Sequence, residues 1–331
     1  MSLTPKENYL RMLRGEIPEY VPCYLIPSGD SIHDELLTPV TAPNGPIKTA
    51  YGVTYVGSKD LAWGAIPKAG EILLDDITKW RDVIHNPDLS GRDWEAYYRE
   101  QLKDKDRENK TLTVVGGDYF LTLVSFMGFE NTMLALYEEP EEVKALLEYV
   151  SEFYMEVMRQ QIKWCKPDIY RIMDDDSAYR APFFSVEMYR EFFKPLHKKH
   201  TDLAHEHGIL IDRHDCGRCE QFIDNWIDLG IRGWNPAQIS NDLKAIKKRT
   251  VGKMALCGCW DWNAPEHSDP DAYTDEELYA RLEDYVNSFA PGGGFTYSAM
   301  IVGDKNNPVV QSRRAIIRDY YYNHVKDYYK H

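Results

Sequence analysis

Residues 207–219 read HGILIDRHDCGRC. After Gly208, Ile209 to Ile211 form a short apolar run of the kind a strand buried on both faces shows. The run ends in a polar cluster: His214, Asp215, Cys216, Gly217 and Cys219. In parallel α/β proteins, ligands bind at the C-terminal ends of the strands. His-x-Cys in extended chain also sends both side chains to one side. This strand end has three readings: a metal site, a redox pair or ordinary core.

Working outward, strand and helix signals alternate. Residues 21–26 (VPCYLI), 111–117 (TLTVVGG), 168–173 (DIYRIM), 233–235, 254–257 and 295–298 read as further strands. Between them lie helical patterns over 93–106, from Pro140 through Val157, 185–205, 220–228, 241–248 and 275–289. Pro195 is expected to kink the third of these. A short helix over 4–13 is capped by Thr4 with Pro5 at its first position, and a tyrosine-rich helix starts near Gln311. Residues 33–90 are irregular, with a hairpin signal at 51–57 and a Trp-bearing loop at 61–67. A long insertion of this kind usually covers an active-site mouth. No GxGxxG follows the first strand, and the GGG at 292–294 precedes a strand where a dinucleotide site would open a helix. The pattern predicts one α/β domain over residues 1–331. Its expected form is a (β/α)8 TIM barrel with an N-terminal extension and long loops at the barrel mouth.

The chain has 331 residues and a net charge of −14, which offers no basic face for nucleic acid or an anionic membrane. No apolar run approaches the roughly 20 residues that span a bilayer. The first residues are charged and carry no apolar signal region, so a cytoplasmic protein is expected. Six cysteines in such a setting are thiols or ligands sooner than disulfides.

Polar residues gather at the strand ends. Borderline-soft ions such as zinc take Cys sulfur and His nitrogen, so His214 and Cys216 are candidate ligands. Cys219 adds a possible second thiolate, and Cys257 and Cys259 supply two more on the next-but-one strand, which in a barrel can lie near the first. The competing reading makes the cysteines small buried hydrophobes and His214 a hydrogen-bonded core residue. Asp174, Asp175 and Asp176 follow the DIYRIM strand. Adjacent carboxylates repel, so one with a raised pKa suits a general acid; the alternative is a solvated capping loop. Asp118 and Tyr119 have the same two readings. His205-Glu206-His207 reads as a solvated helix end. Trp234, Asn235, Trp260, Tyr119 and Tyr297 at strand ends are expected to line a substrate pocket, the aromatic ones suiting a ring.

Several blocks carry a family likeness: TPKENYLRMLRGEIPEYVP at the start, IMDDDSAYRAPFFSVEMYREFFKPLHK, HGILIDRHDCG, DLGIRGWNPAQ and NSFAPGGGF. Together they resemble the uroporphyrinogen decarboxylase superfamily over about residues 4 to 315. The resemblance implies a (β/α)8 barrel and two branches: true decarboxylases, and methyltransferases that work with a corrinoid protein. The decarboxylases carry an Arg-rich segment after the first strand; here that place reads YLIPSGDS. The methyltransferases carry a zinc His-x-Cys where His214-Asp215-Cys216 stands. Those that methylate a thiol add a Cys after the last strand, but here the chain reads FTYSAMIVGD. The resemblance thus implies zinc on His214 and Cys216, with a third ligand from Cys257, Cys259 or an aspartate. The expected activity is O-demethylation under anaerobic conditions. A methyl group would pass from a small methyl ether, an aryl one as first choice, to the cobalt of a corrinoid carried by a partner protein. Asp174 or Asp175 is the expected acid, with Asp118 behind them, and a homodimer is compatible with the family. The competing readings are a zinc-dependent thiol methyltransferase, a decarboxylase of another acid, and a barrel that binds a corrinoid or tetrapyrrole without chemistry.

Overall fold

The computed structural model describes residues 3–37, 46–57, 65–260 and 274–330. Its strands in chain order are β1 (Gly29–Ile32), β2 (Ile47–Lys48), β3 (Thr54–Gly57), β4 (Ala65–Pro67), β5 (Thr111–Gly116), β6 (Ile169–Met173), β7 (Leu210–His214), β8 (Gly233–Ala237), β9 (Ala255–Gly258) and β10 (Phe295–Tyr297). Seven form one sheet in the order β1-β5-β6-β7-β8-β9-β10, with every neighbouring pair parallel. The short strands β2, β3 and β4 form a separate antiparallel sheet within the long insertion.

The two-residue period of a strand sorts the side chains of the large sheet onto two faces. Leu112, Val114, Tyr170, Ile172, Ile211, Trp234, Leu256, Phe295 and Tyr297 enter the main hydrophobic core beneath the helices. The alternate positions form the other face. They include Thr113, Arg171, Asp212, Asn235, Cys257 and Thr296, and most are polar. The sheet is curled, because the helix Pro5–Leu13 packs at once on Ile169 of β6 and Ala255 of β9 through Leu10, Met12 and Leu13. The two edges also approach each other. Cys23 bridges Tyr297 of β10, while Thr111 N–H of β5 donates to Ser28 O at 2.8 Å.

The helix Pro5–Leu13 forms as its sequence dictates. Thr4 Oγ1 accepts from Glu7 N–H at 3.2 Å, and proline occupies the first turn, where its missing N–H costs nothing. It covers the N-terminal end of the polar face and leaves the C-terminal end to the loops.

One expectation needs correction. Residues 21–26 make only the bridge at Cys23; the strand lies later, at Gly29–Ile32. The apolar run VPCYLI carried the signal, while GDSI pairs through its backbone with one polar side toward the inner face. Pro195 lies, as expected, inside one helical run from Val186 to Glu206 that Ser185 caps. It sits in the first turn of Lys194–Glu206, and a π-helical turn at Tyr189–Phe193 takes up the change before it. Of the expected 61–67 loop, residues 61–64 lie outside the described residues.

Candidate functional site: a His-Cys-Asp cluster at the strand ends

The strands β6 and β7 run in register, with Met173 opposite His214. Pairing continues beyond them: Asp174 N–H donates to His214 O at 3.2 Å, and Asp215 N–H donates to Asn235 O at 3.0 Å. Extended chain therefore persists into both polar clusters and splits each by parity. From Asp-Asp-Asp, the middle residue faces inward. From His-Asp-Cys, the outer two do. Asp175, His214 and Cys216 meet with one donor atom from each within 4.8 Å of the others. The remaining carboxylates, Asp174, Asp176 and Asp215, are turned away and buried.

The inward cluster is ordered by its neighbours. Asn235 Oδ1 can only accept, so the His214 Nδ1–H must donate to it, at 3.1 Å. In neutral imidazole this leaves the Nε2 lone pair free and aimed at the cluster. Cys216 Sγ lies 3.6 Å from that Nε2, and Asp175 Oδ1 lies 4.0 Å from it. Asp175 Oδ1 also accepts from Cys216 N–H at 2.8 Å, tying the two strand ends together. Gly217 then turns the chain at φ +86°; a Cβ there would stand 2.5 Å from Ser177 O. Glycine is required for this close approach.

The donor set fits zinc. Bond lengths of about 2.05 Å to nitrogen and 2.3 Å to sulfur at the tetrahedral angle put N and S about 3.6 Å apart, the separation found here. The corresponding N···O edge is about 3.4 Å, so Asp175, at 4.0 Å, would have to close by a fraction of an ångström to ligate. Three protein ligands of mixed N, S and O type leave one position open, as catalytic zinc requires. Asn235 is the outer partner that fixes the histidine tautomer.

One layer below, β6 and β7 present Arg171 opposite Asp212. The guanidinium donates from Nε to Oδ1 at 2.8 Å and from Nη2 to Oδ2 at 2.5 Å. Tyr9 rises from the covering helix, and its hydroxyl lies 3.8 Å from Cys257 Sγ. Burial, then Asp212, holds the Cys257 thiol up at about 11, so it stays protonated. Beside it, Tyr9, Cys23, Gly29, Cys257, Thr296 and Ser298 line a cavity of about 360 Å³ where the sheet edges approach. Just past β1, His33 Nε2 stands 3.2 Å from Ser31 Oγ, so the two share one side of the chain. Partial burial first, then Arg171 and His214, lower the His33 pKa. Arg171, Asp212, Tyr9 and His33 were not singled out in the sequence. Arg171 and Asp212 left a readable trace, being charged residues inside strands and in phase with Asp175 and His214.

The outward carboxylates have structural tasks. Asp174 accepts from Tyr119, Phe120 and Leu121 N–H at 3.0, 3.0 and 3.1 Å, capping the helix Tyr119–Met127. Burial raises its pKa to about 6, with Arg213 and the helix amides pulling the other way. Asp176 and Asp215 flank the fully buried Arg213, which bonds Asp215 Oδ2 from Nη2 at 2.7 Å and also reaches Asp176. Asp118 is half-buried, with its inaccessible Oδ1 unpartnered among the described residues; desolvation, then Asp174, push its pKa well up.

The other expected site residues are dispersed. Trp234 and Asn235 are consecutive in a strand and cannot share a face. Trp234 is buried in the core, donating from Nε1 to Asp215 O at 2.9 Å. Tyr297 donates to Ile317 O at 2.9 Å, and Tyr119 hydroxyl meets His200 Nε2 at 2.7 Å, both under the helices. Trp260 donates to Met300 O at 2.9 Å, and Asp261 beyond it lies outside the described residues. Cys259 adopts φ +59° and is buried beside Lys247; neither it nor Cys257 joins the cluster, where Asp175 supplies the third donor. Cys219 Sγ donates to Cys216 O at 3.0 Å and to Asp215 Oδ1 at 3.2 Å, so it is spent on the local turn.

Comparison with known proteins fits this architecture. The model of the uroporphyrinogen decarboxylase (URO-D) family matches residues 100–272, just over half of the chain. The chain belongs to the uroporphyrinogen decarboxylase family. The match takes in β5 to β9 and all three residues of the cluster. Among solved structures, the fold is similar to a methyltransferase from Methanosarcina mazei, with a TM-score of 0.65 and 13% identity, over 97% of this chain and 100% of that one. No curated protein matches. Among the described residues, no single helix is long and apolar enough to cross a membrane.

Proposed function

We propose that the chain is a methyltransferase moving a methyl group from a small methyl ether, of the methoxybenzoate type, to the cobalt of a corrinoid carried by a partner protein. The observation that carries this reading is the Asp175–His214–Cys216 cluster at the C-terminal strand ends. The fold likeness to the Methanosarcina mazei methyltransferase supports the same branch of the family. In this reading the curled sheet is a (β/α)8 barrel in a single domain over residues 1–331. The chain near Cys23 joins its edges, and the protein is cytoplasmic.

An ether is hard to cleave because its leaving oxygen departs as an anion. Zinc held by Asp175, His214 and Cys216 would supply a Lewis acid for that oxygen. The protein does the rest. Asn235 keeps His214 in the ligating tautomer, and Asp175 and Cys216 are pinned to each other through the Cys216 amide. The methyl carbon goes to the cobalt, and the C–O electron pair stays on oxygen. A proton drawn from solvent neutralises that oxygen. Asp174, turned to the helix amides, is excluded from that role by its direction.

The test is metal analysis of protein purified anaerobically. About one zinc per chain is expected, lost in the His214→Ala/Cys216→Ala double variant together with methyl transfer. Full activity in metal-free protein would overturn the zinc role.

A further inference from the structure

A methyl group handed to a corrinoid protein must face the open end of the site. The remainder of the donor then points down the polar face, toward the helix Pro5–Leu13. Whatever lines that deeper layer reads the rest of the substrate. Among the described residues, the permanent cation of the deeper layer is Arg171, two residues along β6 from Met173 and in register with Asp212. Two strand residues span about 6.6 Å, so Arg171 roots roughly one layer below the His214 level.

Arg171 is committed on one edge only. Asp212 takes the Nε and one Nη2 proton, and Asp212 is itself sealed, with its side chain 1% exposed. Of the five guanidinium N–H groups, three remain, including both on Nη1. The Arg171 side chain is 25% exposed on the polar face, and no hydrogen bond from Nη1 is made among the described residues. A guanidinium held on one edge and open on the other is preorganised for a planar carboxylate. The surroundings agree: Tyr9, Thr296 and Ser298 line one cavity on this face, whereas Trp234, Tyr297 and Tyr119 face the core.

We infer that Arg171 anchors an acidic group on the donor, so that the site selects methyl ethers carrying a carboxylate about one ring away from the methoxy group. The inference rests on the methyl-transfer reading for the orientation of the donor. Its test therefore measures binding apart from turnover. The probes are the demethylated ring with and without the acid, 3,4-dihydroxybenzoate and catechol, titrated calorimetrically into zinc-loaded protein. Wild type is expected to bind the acid roughly 10- to 100-fold more tightly, the range a charge-assisted bidentate contact gives. The Arg171→Gln variant loses that preference while its affinity for catechol stays within about twofold. Because Arg171→Gln leaves Asp212 unpaired, the Arg171→Gln/Asp212→Asn variant is measured beside it, with retained zinc confirming an intact site. Arg171→Lys restores only part of the preference, since an ammonium cannot bind in fork fashion. Equal affinities in wild type, binding of neither probe, or a preference that survives in both Gln variants would overturn the inference. A preference for the acid in a protein that transfers no methyl group from 3-methoxy-4-hydroxybenzoate would leave the anchor standing and remove the methyl-transfer reading.

Discussion

At the residue scale, one atom position separates ligand from scaffold. Asp174, Asp175 and Asp176 are chemically identical and adjacent, and the strand period alone gives them different tasks. Asp175 reaches the cluster, Asp174 caps a helix and Asp176 pairs with buried Arg213. Substitution should separate them. Asp175→Asn is expected to weaken zinc binding with little change in melting temperature. Asp174→Ala is expected to lower stability by about 1–3 kcal/mol, because three helix amides lose their acceptor, while zinc stays bound. Asn235→Ala acts through His214 and should cost about 10- to 100-fold in zinc affinity. Competition with a chromophoric chelator reads all three; equal zinc affinity in Asn235→Ala and wild type would contradict the tautomer argument.

At the element scale, the outer face of β6 and β7 carries a polar network that water does not reach. Arg213 lies between Asp176 and Asp215, with its guanidinium 4.8 Å from the Trp226 ring centre. Arg213→Met strands two buried carboxylates and should cost about 3–5 kcal/mol; Asp176→Asn/Asp215→Asn added to it should recover much of that loss. Beside this network His200 takes Tyr119 and Tyr170 hydroxyls on its two ring nitrogens, at 2.7 and 2.8 Å. Burial, then the charge of His197, holds the His200 pKa down at about 3. Burial, then Arg213, does the same for His197, also to about 3. Between an unfolded value near 6.5 and that folded value, the unfolded chain binds protons that the folded one refuses. Stability therefore falls as pH drops through this window. Asp174 acts in the opposite sense: its folded pKa of about 6 lies above the unfolded value, so it favours the fold at low pH and costs stability as pH rises through 6. His200→Gln keeps partners for both tyrosines and removes one titration, so the loss of melting temperature from pH 6.5 to 4 should shrink. An unchanged acid limb would show that His200 does not drive it.

At the scale of the whole molecule, the order of strands and helices was legible because it rests on apolar periodicity, which a sequence displays directly. β5, β6, β7, β8, β9 and β10 fall where that periodicity puts them. β1 was missed because GDSI has no apolar run and is held by backbone pairing to β5. The site was half legible. His214 and Cys216 stood out by spacing, but their third partner is set by the register of β6 against β7, which no local pattern encodes. Facing direction was encoded and is easily overlooked: Trp234 beside Asn235, or Tyr297 beside Thr296, must lie on opposite faces of any strand. The aromatic lining expected at the strand ends thus belongs to the core, and the face that carries the cluster is polar, with Arg171 in its depth.

That arrangement, metal donors at the open end and an acid-reading cation below, makes a single claim about what enters the site and what leaves. The most direct measurement mixes zinc-loaded protein anaerobically with a reduced cobalt(I) corrinoid protein and 3-methoxy-4-hydroxybenzoate, following the corrinoid absorption spectrum. The account predicts loss of the cobalt(I) spectrum, growth of the methyl-cobalt(III) spectrum, and release of one 3,4-dihydroxybenzoate per methyl transferred, with none of these in His214→Ala/Cys216→Ala. An unchanged cobalt(I) spectrum with the zinc-loaded wild-type protein, across acid-bearing and acid-free methoxyarenes alike, would contradict it.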